Sequence, residues 1–364
     1  MSSTFGNTLK ISIFGESHGT AAGGVADGFP PGEKIDEKEL LKMLARRRPG
    51  QKNTTPRAES DLPEILSGVY NGRTTGTPVS VVIRNCDMHS RDYETLKNVP
   101  RPGHADYAAL LRYGEAADRR GGGHFSGRLT APLVALGAFA RQILARRNIY
   151  VGAHLASVWN ITDRAFDAVK LERETLLAPG EKEFPVCDDA AGLLMQRAIE
   201  TAAMEGDSLG GVIECGVIGF PEGVGSPMFD RIECGLGKAL FGIPAVRGVE
   251  FGNGFAAALL KGSANNDAFC LADGNIRTAT NRHGGILGGI SSGMPILLRA
   301  AFKPTPSIAK EQKSVDLSLM KETTLAVGGR HDPCVAIRAV PVVEAVTSLV
   351  LLDFLLTEKP DFLR

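Results

Sequence analysis

Apolar residues recur along this chain in two rhythms. Alternating, β-branched runs predict strands over 9–14, 79–84, 149–158, 212–218 and 296–302. Apolar spacings of three and four predict helices over 37–47, 106–113, 132–147, 189–204 and 342–356. Asp36 with Glu39 three residues later resembles a capping box, and Pro49-Gly50 stops the helix it opens. Ser226-Pro227 supplies an N-cap and first-turn proline for a helix to about residue 240. The small residues Thr20–Gly24 read as a loop. Gly23-Gly24-Val25 leads to Gly28-Phe29-Pro30 and a helix, and Gly210-Gly211-Val212 leads to Gly219-Phe220-Pro221 and a helix. This repeat predicts two similar halves, roughly 1–190 and 191–364, about a pseudo-two-fold axis. No flexible linker separates them, so a single domain over 1–364 with one shared core is expected.

Composition narrows the class. Of 364 residues, 43% are hydrophobic and 23% charged, which excludes a disordered, collagenous or membrane-embedded chain. Lys plus Arg equals Asp plus Glu at 41 each, so the basic excess of a nucleic-acid coat is missing. Within the bases, 26 Arg outnumber 15 Lys, a bias toward bidentate contacts with carboxylate or phosphate. Six scattered cysteines lack a C-x-x-C pair, which argues against a disulfide framework or zinc ribbon. The start lacks the pattern of a signal peptide. The apolar stretch 342–356 contains Glu344 and Asp353 and is too short to span a bilayer, so it reads as a buried helix. A cytoplasmic protein with reduced thiols and no membrane partner is expected.

Candidate chemistry sits in glycine-rich blocks. Five histidines (His18, His104, His124, His283 and His331) lie in such blocks within reach of a ligand, and histidine is the residue type whose ordinary pKa lies closest to neutral. In 15–19, Ser17 can donate to an anion and His18 can act as an acid, but no helix former follows as a serine-nucleophile elbow requires. Arg46-Arg47-Arg48 sits at a helix C-terminus, either as a cap for the helix dipole or as an anion contact. Block 101–107 joins Arg101, His104 and Asp106. Block 119–128 places three glycines before a helix, which suggests phosphate held by backbone amides. Lys303, Arg330 and Arg338 are further anion contacts, and Asp332 beside His331 is an acid–base candidate. No histidines or carboxylates cluster at metal-ligand spacing, so no metal is expected. The residues alone point to an enzyme with a loop-built pocket for a phosphorylated, carboxylated small molecule and a phosphate-bearing cofactor. They do not identify the reaction.

Ten blocks carry a resemblance along essentially the whole chain. They are GESHG (15–19), DGFPPG (27–32), RRRPGQ (46–51), RPGHADY (101–107), RRGGGHFSGRLTA (119–131), GDSLGG (206–211), AVRGVEFG (245–252), GGILGGISSG (284–293), FKPTPSI (302–308) and GRHDPCVAIRAVP (329–341). In them the sequence resembles the chorismate synthase family. The resemblance implies an α+β fold with helices sandwiched between antiparallel sheets. It implies 1,4-anti elimination of phosphate from 5-enolpyruvylshikimate 3-phosphate, the last step of the shikimate pathway, with reduced FMN required and no net redox change. By motif, His18 and His104 would be acids, Asp332 would help remove the flavin N5 proton, and Ser17 and Ser126 would be supporting donors. Arg47 would meet a dinucleotide or substrate anion. FMN would be held by His124, Phe125, Ser126, Ala245, Gly288, Lys303, Pro304, Thr305, Pro306, Ser307 and Arg330, and substrate by Arg48, Arg128 and Arg338. Many members carry Arg where this chain has His124, Glu where it has Leu129, and Arg where it has His89. Members are homotetramers. With no added domain, a monofunctional enzyme fed by an external flavin reductase is expected, NADPH entering only if the chain reduces its own flavin. The competing readings are a flavin reductase, against which the missing dinucleotide fingerprint argues, and a non-catalytic phosphometabolite binder.

Overall fold

The computed structural model describes residues 3–55, 59–86, 98–118, 120–272, 274–329, 331–359 and 361. His89 and Arg330 lie outside them. Ten strands form two antiparallel sheets. The first holds β1 (Thr4–Phe5), β2 (Lys10–Gly15), β3 (Ala21–Asp27), β4 (Pro63–Ser67) and β5 (Val79–Arg84), in the order β1-β2-β3-β5-β4. The second holds β6 (Tyr150–Val158), β7 (Ile161–Thr162), β8 (Gly211–Ile218), β9 (Val246–Phe251) and β10 (Ile296–Phe302), in the order β9-β10-β8-β6-β7. The main helices are α1 (Glu37–Arg47), α2 (Asp106–Tyr113), α3 (Thr130–Ala145), α4 (Asp189–Met204), α5 (Ile232–Leu240) and α6 (Ala336–Glu358). Helix α3 packs on the first sheet, α6 on the second, and the two helices on each other, with α1 and α5 beside them. The α+β sandwich expected from the resemblance is thus observed.

The repeat has a topological counterpart. In the first run β2, β3, α1, β4, β5 and α3 follow one another, and the sheet order is β2-β3-β5-β4. In the second, β6, β8, α5, β9, β10 and α6 follow, and the order is β6-β8-β10-β9. The joint between these runs lies between Ala145 and Tyr150, where the sequence reading divides the chain near 190. The Gly-Phe-Pro turn plays one part in both. Gly28 has φ +113° and Gly219 φ +76°. A Cβ at either would stand 2.3 Å from the Thr8 carbonyl oxygen or 2.1 Å from that of Asn148, just before β2 and β6. Each turn therefore needs a residue without a side chain. Phe29 and Phe220 bury themselves directly after it.

Several boundaries differ from expectation. Residues Thr20–Gly24 belong mostly to β3, an interior strand, because Gly23 leaves room for the ring of Phe14. Helix α5 begins only at Ile232, since Met228 has φ 61° and breaks any helix opened at Ser226. Helix α6 begins six residues before Val342, with Pro341 near its start, where few intrahelical bonds are lost. It is long and apolar enough to cross a bilayer by composition, yet is buried in the core. Its Gly137 contact with α3 explains the close crossing: a Cβ on Gly137 would lie 2.3 Å from that of Ala345.

Two carboxylates in α6 are anchors. Glu344 accepts both guanidinium arms of Arg46 at 2.7 and 2.8 Å and the Ala153 amide at 3.1 Å. Burial pushes its carboxyl up, but the Arg46 charge and hydrogen bonds outweigh that and hold it below the usual range. Asp353 accepts the amides of Asn7, Thr8 and Leu9.

Candidate active site

The two runs meet at a cleft of about 500 Å³, a size typical of small-molecule sites. The first run contributes Arg47, Arg101, His104 and the segment from Gly121 to Arg128. The second contributes Phe241 to Arg247, Lys303, Thr305 to Ser307, and the start of α6 with Asp332 and Arg338.

His104 is held at the mouth of α2. Its Nδ1 lies 2.6 Å from Asp106 Oδ1, and Asp106 also receives Arg101 through Nε and Nη2, each at 2.7 Å. Burial raises the Asp106 carboxyl, but Arg101 and His104 outweigh it and keep it ionised far below the ordinary range. An ionised Asp106 fixes the proton of His104 on Nδ1, so Nε2 is the nitrogen left for a ligand. Arg101 also donates to Ser307 Oγ at 3.1 Å, tying this loop to the opposite wall.

Most cleft arginines are already paired. Arg47 donates to Asp61 at 2.5 Å, Thr130 Oγ1 at 3.1 Å and the Gly127 carbonyl at 3.0 Å. Burial, only partly offset by Asp61, lowers its pKa to about 10. Arg128 pairs with the other oxygen of Asp61 and donates to Asn85 Oδ1 at 2.8 Å. Arg338 holds Asp332 at 2.5 Å, and Asp332 accepts the Thr55 amide at 2.9 Å. These arginines are committed to carboxylates rather than presented to a ligand. Arg48 is exposed, caps α1 through its amide and does not line the cleft.

Two cations differ. Arg247 and Lys303 both line the cleft and have no acidic partner among the described residues. Among the described residues the Lys303 ammonium donates to the Gly103 carbonyl. Burial first, then the Arg247 charge, lowers its pKa. Thr305 lines the same wall, and its buried hydroxyl has no hydrogen-bond partner among the described residues. Ala245, which accepts the Lys303 amide at 3.0 Å, has φ 74°, so the segment carrying Arg247 starts from a left-handed residue. Arg247 is a site residue that sequence reading missed.

The remaining expected residues fall into two groups. Ser126, His124, Phe125, Ala245, Pro306 and Ser307 line the cleft with those above. Ser126 Oγ caps the Arg128 amide at 3.2 Å. Both ring nitrogens of His124 are engaged, Nδ1 with the Gly15 carbonyl at 2.9 Å and Nε2 with Ser3 Oγ at 2.7 Å. Leu129 is buried in the core. Ser17, His18, Pro304 and Gly288 do not line the cleft. Ser17 and His18 stand behind Gly121, where a Cβ would sit 2.5 Å from the His18 ring and 2.7 Å from Ser17 Oγ. Ser17 Oγ donates to the Arg120 carbonyl at 3.0 Å. Gly288 forms the turn between the strands Ile286–Leu287 and Ile290–Ser291. The triple glycine is not the expected cradle of free amides: the Gly122 and Gly123 amides both turn back onto the Arg120 carbonyl.

Comparison with known proteins gives one answer. The family model for chorismate synthase matches residues 9–356. Curated chorismate synthases from Archaeoglobus fulgidus and Thermococcus kodakarensis are 48% and 47% identical to the chain. They are matched over 98% and 97% of this chain and 97% and 98% of their own lengths. A crystal structure of chorismate synthase superposes with a TM-score of 0.74 at 28% identity, covering 97% of this chain and 93% of the other. The chain therefore belongs to the chorismate synthase family and is a lyase.

Proposed function

We propose that the cleft binds 5-enolpyruvylshikimate 3-phosphate beside reduced FMN and expels the 3-phosphate to give chorismate, the closing step of the shikimate pathway. The observation that carries this reading is the pair Arg247 and Lys303. Two like charges without a carboxylate between them leave a site whose stability improves when an anion enters. With the unpartnered Thr305 hydroxyl, they fit a phosphate-bearing group. Lys303 to Ser307, Ala245 and the His124–Ser126 wall would hold FMN, which when bound supplies electron density for the elimination.

The chain's own residues handle charge and protons. As the C3–O bond breaks, its electron pair leaves with phosphate, and Arg247 and Lys303 stabilise the growing negative charge in place. His104, its Nδ1 held by Asp106, turns Nε2 to the departing phosphate as the acid of this step. Asp332, held by Arg338, is the carboxylate at the far wall for a proton released in the reaction. His18 acts as the second acid from behind Gly121, with Ser17 and Ser126 as supporting donors. The arginines already paired in the cleft, Arg47, Arg128 and Arg338, shape it for the two substrate carboxylates, and Arg48, outside the cleft, is not among them.

We extend the reading to a cytoplasmic homotetramer supplied with reduced flavin by a separate reductase. All six cysteines are free thiols. Phe229, Phe255 and Leu259 are more than two-thirds exposed, an apolar surface suited to subunit contact.

The test is anaerobic phosphate release with chemically reduced FMN, repeated with oxidised FMN plus NADPH. Release only with reduced flavin is expected. Release in both would show that the chain reduces its own flavin, and tight binding without release would show a binder. His104→Ala should abolish release while substrate still binds; undiminished turnover would remove His104 from the mechanism.

A further inference from the structure

The elimination leaves one histidine block unused. The His283 side chain is 8% exposed, and its Nδ1 is in a short contact with Asp267 Oδ2. Its Nε2 lies 3.1 Å from Ser292 Oγ. Asp267 is itself fixed: it accepts the amides of Arg282 at 2.9 Å and His283 at 3.0 Å, and the Thr280 hydroxyl at 2.5 Å. Burial pushes that carboxyl up, but the Arg282 amide, His283 and Thr280 outweigh it and hold it at about 2. It is therefore ionised at neutral pH, so His283 keeps its proton on Nδ1 and Nε2 accepts from Ser292.

The rest of the site suits a nucleophile. Ser292 is half-buried rather than enclosed. Its own amide donates to the Gly285 carbonyl at 2.9 Å, which pins its backbone. The amide of the next residue, Gly293, has no acceptor among the described residues. That is the position from which a hydrolase elbow donates to an oxyanion. Between Asp267 and Thr280 hangs the hairpin Phe269–Ala272 and Asn275–Thr278. Leu271 pairs with Ile276, and with Phe269 they make one exposed apolar face. Strand β10 separates this place from Lys303 by about 20 Å, so it is not part of the cleft.

We propose that Asp267, His283 and Ser292 form a second, hydrolytic site that cleaves activated carboxylic esters with an apolar acyl group. Ser292 Oγ attacks the carbonyl carbon while its proton passes to His283 Nε2. The bond to the leaving alcohol then breaks, and that alcohol takes the proton. Water, deprotonated by the same nitrogen, releases the acyl group as a carboxylic acid and restores Ser292. Asp267 orients His283 and stays ionised throughout.

A fluorophosphonate probe on the full-length protein tests this. One probe per chain is expected, on Ser292 by peptide mapping, with at least a hundredfold slower labelling in His283→Gln. Ser292→Ala should take no probe and lose p-nitrophenyl butyrate hydrolysis, while its melting temperature and its phosphate elimination stay unchanged. Unlabelled wild type, labelling spread over other serines, or ester hydrolysis that persists in Ser292→Ala would each overturn the proposal. Ser292→Ala removes a single oxygen, so the site assignment stands on it even where His283→Gln loses its fold.

Discussion

Replacing Arg247 by alanine removes one of two cleft cations without an acidic partner among the described residues, so it should weaken binding of the phosphate-bearing ligand by about tenfold or more, the worth of a charge-assisted hydrogen bond. Isothermal titration at two salt concentrations checks this, since the lost contact is electrostatic. Asp61→Asn acts differently. It strips the shared partner of Arg47 and Arg128 and should destabilise the fold by about 3–5 kcal/mol, the usual result of stranding a buried charge; urea unfolding reads it. The sequence shows residue types but not partners, which explains its misses here. His104, Asp332 and Lys303 are legible because titratable groups stand in glycine- and proline-rich blocks. Arg47 and Arg128 look equally suited to anions, yet Asp61, distant in sequence from Arg128, claims both. Arg247 carries no local mark; its importance comes from having no acid beside it.

At the scale of elements, hydrophobic period and cap signals delimit α1, α2, α4, β5 and β10 correctly. They fail at β3, whose small residues look like a loop until the Phe14 ring that fills the space is known. They also miss β4 and β9, short sheet-edge strands defined by pairing more than by pattern. Helix α6 is specified by partners outside itself. Glu344→Gln should cost about 3–5 kcal/mol, because Arg46 then keeps a buried charge without its carboxylate. Calorimetry of Glu344→Gln against Lys42→Ala, whose ion pair with Glu181 is exposed, should separate a large effect from one of at most about 1 kcal/mol. Gly219→Ala should also lower the melting temperature, since the Asn148 carbonyl occupies the space of the new methyl group.

For the whole molecule, pH acts most strongly through β6. Fully buried His154 lies 2.8 Å from Asp163 and 3.0 Å from Glu214. Burial lowers its pKa, but its hydrogen bonds to Asp163, Cys187 and Glu214 outweigh that and raise it to about 11. Asp163 is lowered in turn, its burial offset by His154 and nearby amides. A raised histidine stabilises fully below its unfolded value of about 6.5. That stability fades as pH rises toward 11, by up to about 1.4 kcal/mol per unit. The lowered Asp163 contributes above about pH 4 and is lost in acid. Unfolding free energy should therefore peak between about pH 4 and 6.5. The alkaline slope should flatten in His154→Gln, and an unchanged slope would remove His154 as its source. The shared strand order of the two sheets has a historical consequence. The cleft takes Arg101 and His104 from one run and Arg247, Lys303 and Asp332 from the other. If both runs descend from one half-length ancestor, that ancestor enclosed no cleft alone. Two copies had to meet before there was anywhere to bind, and gene fusion then freed each side to change its residues independently.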